Sequence, residues 1–124
     1  MNAPCVDITA ILNAVSSIGA TAYASNMPDT PDTCIAVIDG PGGAPEAKYV
    51  LDRPTVQVKV RAKEYNNAYS VMEAVKSEIH GSYNVIEGGA RYIQILAQGG
   101  IMSLGYDKAQ RAILVLNFAI QRTE

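Results

Sequence analysis

The run Pro54-Thr55-Val56-Gln57-Val58-Lys59-Val60-Arg61-Ala62-Lys63 decides how this chain is read. On an extended backbone Val56, Val58, Val60 and Ala62 fall on one side, and Gln57, Lys59, Arg61 and Lys63 on the other. Such a strand needs sheet neighbours and a layer over its apolar face, and its basic face is available to touch something. Just upstream, Cys34–Ile38 is a short apolar run that reads as a buried strand, with Asp39 through Pro45 as a Gly/Pro loop between the two. Before it lies Asn26-Met27-Pro28-Asp29-Thr30-Pro31-Asp32, where proline fixes the backbone and Asp and Thr bond back to neighbouring amides. A short strand over 20–25 precedes that turn.

The flanks add helices and more strands. Ile8, Ile11, Leu12, Val15 and Ile18 recur at helical spacing, so 7–18 is predicted as a helix, with Asp7 as its cap and Gly19 as its stop. Ala68, Met72, Val75 and Ile79 give a second helix over about 65–80, ended by Gly81. Tyr92–Gln98 and Ile101–Tyr106 read as strands, and Gly99-Gly100 as the hairpin turn between them. Residues 112–121 are apolar on both faces, which predicts a central strand; Asn117 interrupts it and needs a partner if buried. The order of elements predicts an α+β fold: an antiparallel-rich or mixed sheet with two helices packed on one face.

At 124 residues the chain is expected to form one domain, 1–124, with a single modest core. It has no Trp and one Phe, so aliphatic side chains must fill that core, and seven Tyr supply the aromatic surface. A net charge of −2 gives no global basic field for nucleic acid, and the basic strand lacks the interleaved aromatics that stack bases. No basic-then-apolar leader is evident, and no run approaches the roughly 20 apolar residues that span a bilayer. Cys5 and Cys34 are too few for a disulfide framework and lack metal-ligand spacing, so they are expected to be reduced thiols.

Chemistry is sparse. His80, the single histidine, precedes Gly81 at a predicted helix end, where a cation complements the helix dipole. Gly42-Gly43, Gly88-Gly89 and Gly99-Gly100 lack the context of a phosphate-binding loop and read as turns. The carboxylate pairs Asp29/Asp32 and Glu73/Glu78 belong to a proline turn and to a solvated helix face. No metal, cofactor or catalytic constellation is expected.

In order along the chain, Asn26 through Asp32, Cys34-Ile35-Ala36-Val37, Asp39 with Gly42-Gly43, Arg53-Pro54-Thr55-Val56-Gln57-Val58, Val60-Arg61, Tyr65 and Ala68-Tyr69 form a set of features. That set resembles the small tail-terminator proteins of bacteriophages with long non-contractile tails, often labelled minor capsid proteins in phages and prophages. The closing strand, 112–121, fits the end of such proteins. The resemblance implies a structural virion protein with no enzymatic activity. It would form a ring, commonly a hexamer, on the head-proximal end of the tail tube, stop tube polymerisation and present the surface that joins the head. Its implied partners are copies of itself, the major tail tube protein and a head-completion or connector protein, with DNA passing through the ring. Its implied place is the tail–neck junction of the virion, after assembly in the bacterial host cytoplasm, with no membrane.

A ring needs contacts in which one patch meets a different patch on the neighbour. The acidic residues Asp29, Asp32 and Asp39 and the basic residues Arg53, Lys59, Arg61 and Lys63 are candidate complements. Exposed ion pairs contribute about 0–1 kcal/mol each, so apolar area, from Tyr49, Tyr65 or Tyr92, would have to supply affinity. Three alternatives remain open on the sequence: a head-completion or neck protein at the same junction, a small bacterial ligand-binding module, and an enzyme whose site is assembled from dispersed carboxylates and tyrosines.

Overall fold

The predicted strand over 54–63 is β3, Thr55–Ala62, in a computed structural model that describes residues 2–42, 51–82 and 84–123. Tyr49 and the end of the Gly/Pro loop lie outside the described residues. On either side of β3 run β2, Cys34–Asp39, and β7, Ala112–Thr123, both antiparallel to it. β1, Thr21–Ala24, pairs with β2 in parallel, which makes the sheet mixed. The remaining strands are β4, Val85–Glu87, β5, Ala90–Ala97, and β6, Met102–Tyr106. The order across the sheet is β1-β2-β3-β7-β5-β4, and β6 also pairs with β7.

The register aligns the apolar positions. Ile35 faces Val60 and Val60 faces Leu114; Val37 faces Val58 and Val58 faces Leu116; Val56 faces Phe118 and Ile95 faces Ile120. Paired residues share a face, so these side chains form one apolar floor. Two helices cover it. α1, Pro4–Asn13, packs on β1, β2 and β3, and α2, Tyr65–Ile79, packs on β3, β5 and β7. Ile8 and Leu12 from α1 and Ala68, Met72, Val75 and Ile79 from α2 join the sheet residues in one buried cluster. Each fully buried Val, Leu or Ile stabilises the fold by about 1.5–3 kcal/mol relative to exposure.

Two expectations change in detail. The first helix begins at Pro4, not at Asp7, and ends at Asn13; a separate 3-10 turn, Ser16–Ile18, follows and stops at Gly19, where φ is +82°. Pro4 suits a first helical position, whose amide has no intrahelical partner. Asp7 is not the cap: it is buried inside the first turn. The cap comes from a distance, because the Cys5 backbone N–H donates to Asp39 Oδ1 at 2.9 Å.

The hairpin predicted at Gly99-Gly100 is absent. β5 and β6 lie end to end along the same strand, β7, with Ala97 opposite Phe118 and Met102 opposite Val115. Gln98 N–H continues the ladder to Asn117 O, and Gly99, with φ at +90°, takes the kink. The chain turns back instead after β6, where Asp107 O and N–H pair with the backbone of Gln110 and Arg111. The Gly88-Gly89 pair does form a hairpin turn, between β4 and β5.

Candidate assembly surfaces

The basic face of β3 carries one cation turned inward. Arg61 is 4% exposed. Its Nε donates to Asp32 O at 3.1 Å, and its Nη2 donates to Pro28 O at 2.6 Å and Pro31 O at 2.8 Å. The planar guanidinium therefore gathers three backbone acceptors of the proline turn, a task that a single ammonium performs less well. Arg111, at the start of β7's approach, completes the clamp. Its Nη1 donates to Asp29 O at 2.7 Å, Nη2 to Asp29 Oδ1 at 2.9 Å, and Nε to Asp107 Oδ2 at 2.8 Å. Lys63 Nζ lies 3.4 Å from Asp32 Oδ2. Asp107 is held below the ordinary carboxylate range, first by the Arg111 backbone N–H and also by the Arg111 side chain.

The acidic turn and the basic strand thus meet within one protomer. Arg61 is corrected from a partner-facing cation to an internal anchor, whereas Asp39 caps α1 through Oδ1 and stays exposed. Asp29 keeps its side chain 91% exposed while bonded to Arg111, and Lys63 stays open to solvent. Lys59 is half-buried on β3 between Ala36 and Val115. Arg53 is half-buried beside a shallow notch that it lines with Pro4, Asp39, Asp52 and Arg122. Tyr65 is exposed and stacks on Tyr69, ring centroids 6.5 Å apart.

Tyr92 was expected to offer apolar surface and is instead fully buried. Its hydroxyl donates to Asp7 Oδ2 and accepts from Arg122 Nη1 at 3.3 Å. Arg122 also donates to Asn2 O at 2.8 Å and to Asp52 Oδ2 at 3.0 Å. Burial and the Asp7 carboxylate push the Tyr92 hydroxyl far above its usual titration range, so it stays a donor. This knot ties α1, β5 and β7 together, and Gly88 makes room for it: a Cβ there would fall 2.1 Å from Asp7 Oδ1. Nothing in local sequence marks Asp7, Tyr92 and Arg122 as neighbours. The Asp107–Arg111 spacing of four across a turn was the one readable signal of the Arg111 clamp.

Little here resembles a reaction centre. Among the described residues no group of three or more His, Cys, Asp or Glu side chains could hold a metal ion. A groove of about 480 Å³ on the sheet face away from the helices is lined by Ile38, Thr55, Gln57, Gln98 and Asn117, with Asp39 at its edge. Its polar groups are mostly amides and a hydroxyl, and Asp39 Oδ1 is already bonded to α1. His80 stands at the C-cap of α2, and its Nδ1 accepts the Ala97 N–H at 2.9 Å, pinning the end of α2 to β5. Burial raises both thiols, Cys5 with help from Asp39, and Cys34 despite the guanidiniums of Arg61 and Arg111 nearby.

The exposed large apolar side chains are more suggestive. Met102, Leu104 and Tyr106, at 53%, 53% and 59% exposure, occupy β6. Tyr65 and Tyr69 mark the first half of α2, and Ile86, Leu96 and Val6 are scattered elsewhere. Clustered apolar exposure of this kind marks interaction surfaces.

Residues 10–124 match the family described as bacteriophage tail terminator protein. No curated protein matches the sequence. Among solved structures, the fold is similar to a chain from the virion of a native gene transfer agent particle, with a TM-score of 0.75 and 14% identity over 98% of this chain and 96% of that one.

Proposed function

The chain belongs to the bacteriophage tail terminator family and is a structural, tail-related virion protein; from that premise we propose that it caps the head-proximal end of the tail tube as a ring. The ring, of six copies in this reading, ends tube polymerisation and offers the joining surface for the head. The observation that carries the proposal is the family match across residues 10–124. The site geometry agrees with it: the charged side chains with resolved partners hold a turn and a knot in place and leave apolar side chains for contacts.

In this reading all of the chain acts as one terminator domain. Its partners are copies of itself, the major tail tube protein and a head-completion or connector protein, and DNA only passes through. The protein performs no chemistry of its own, and it is assembled in the cytoplasm of the bacterial host before it resides at the tail–neck junction. Of the interface candidates, Lys63, Asp29, Asp39 and Tyr65 are the exposed ones, and we propose Lys63, Asp29 and Tyr65, which do not cap a helix, as contact residues in the assembled particle.

Electron microscopy of particles made without the protein tests the role. Tubes longer than normal are expected, and added protein should return them to normal length. Tubes of normal length that simply fail to join heads would point instead to a head-completion role.

A further inference from the structure

Two edge strands of the sheet, β1 and β6, are guarded against strand addition. On β1, Asn13 acts as a substitute strand: its Nδ2 donates to Ala22 O at 2.9 Å and its Oδ1 accepts the Ala22 N–H at 2.8 Å. On β6, the register slips between Ser103 and Gly105, and Gly105 N–H turns to Ser103 Oγ at 3.1 Å. A bulge of this kind spoils the edge as a template. At β1 and β6, copies of this chain would therefore meet through side chains rather than by extending the sheet.

Two exposed patches have the chemistry for such a meeting, and they differ from each other. The first is β6, where exposed Met102 and Leu104 precede the turn that carries exposed Lys108; the register slip turns Tyr106, opposite Ala112, to the other face from Met102, opposite Val115, and the neighbouring Asp107 is paired with Arg111. The second is α2, where Tyr65, Tyr69 and Glu73 follow at intervals of four along one stripe, next to exposed Glu64. Lys76 on the same helix is half-buried in its last turn. One patch is aliphatic with a cation, and the other is aromatic with two acids, beside Lys63, whose charge faces Asp32.

We propose that the β6 patch of one copy docks on the α2 patch of the next. The contact pairs Met102 and Leu104 with the stacked tyrosines and sets Lys108 against Glu64 and Glu73. Thioether and aliphatic groups against aromatic rings are favourable neighbours, and the charges fix orientation. Because the patches are different surfaces of the same molecule, the contact is head-to-tail, and repeated rotation closes a ring. The inference rests on the ring reading given above and names the faces that would build it.

A chain carrying both Ser70→Cys and Ser103→Cys, exposed positions beside the two patches, can be treated with a flexible bis-maleimide and resolved on a denaturing gel. The native thiols are buried and stay silent. The expected result is a ladder from dimer upward from the double variant, and monomer from either single variant. Adding Lys108→Glu should cut the ladder about tenfold, and adding Glu64→Lys with Glu73→Lys should restore it. Self-linking by Ser103→Cys alone overturns the proposal, because the contact would then be two-fold. No ladder from a protein that still forms rings under the electron microscope also overturns it while leaving the ring intact. A ladder accompanied by open chains instead of rings keeps the contact and removes the ring. Neither ladder nor rings defeats both.

Discussion

Three carbonyls of the Pro28–Asp32 turn converge on one guanidinium, and losing it would strand them. Arg61→Met is expected to lower the unfolding free energy by about 2–4 kcal/mol in urea titrations. Arg61→Lys keeps the charge but not the fork, so it should recover roughly half of that loss. Tyr92→Phe removes the hydroxyl between Asp7 and Arg122 and should cost about 1–3 kcal/mol. The same hydroxyl predicts an alkaline weakness. Its folded value is raised, so the unfolded chain sheds that proton first, from about pH 10. The stabilisation is complete below that pH and is lost above it; urea titrations between pH 9 and 11 should show the decline, and Tyr92→Phe should flatten it. The thiols of Cys5 and Cys34 are buried and raised, so a chromogenic disulfide reagent at pH 7 should react with them far more slowly in buffer than in denaturant. Local spacing could not reveal that Arg61 points into its own turn, because an alternating strand pattern says which side a residue takes and not what covers that side.

Among the elements, β3 and α2 were legible because their periodicities are strong, β2 because it is a short apolar run between turn residues, and β1 only as a short stretch before the proline turn. The β5–β6 arrangement was not. A glycine pair between two apolar runs suits a hairpin, but β7 offers twelve residues of edge, long enough for both runs in succession, and long-range pairing outweighed the local turn signal. The start of α1 was misplaced for a related reason: its cap is Asp39, thirty-four residues away. The role of Asn13 was equally hidden. Asn13→Ala should open the outer edge of β1, lowering stability by about 1–2 kcal/mol and raising light scattering on storage. A stability loss with unchanged scattering would show that the side chain holds β1 without shielding it.

For the molecule as a whole, the α+β architecture was readable from the order of elements and the family from the resemblance of the ordered residue set, while the parallel pairing of β1 with β2, which makes the sheet mixed, is not encoded in local alternation. The candidate surfaces were only half readable. Charge suggested them, yet the charges close on one another within the protomer: Arg111 alone binds Asp29, Asp32 and Asp107. Exposure on β6 depends on which strand is left at an edge, and that is settled only when the sheet is complete. The strand nearest the carboxyl end, β7, bonds β3 on one flank and β5 and β6 on the other. During translation β3 can pair only with β2 and β5 only with β4, and β6 has no strand to pair with, so the sheet stays in pieces until residues 112–123 leave the ribosome. A nascent chain has no finished sheet to present, so partly made subunits should not compete with finished ones for a place in the particle.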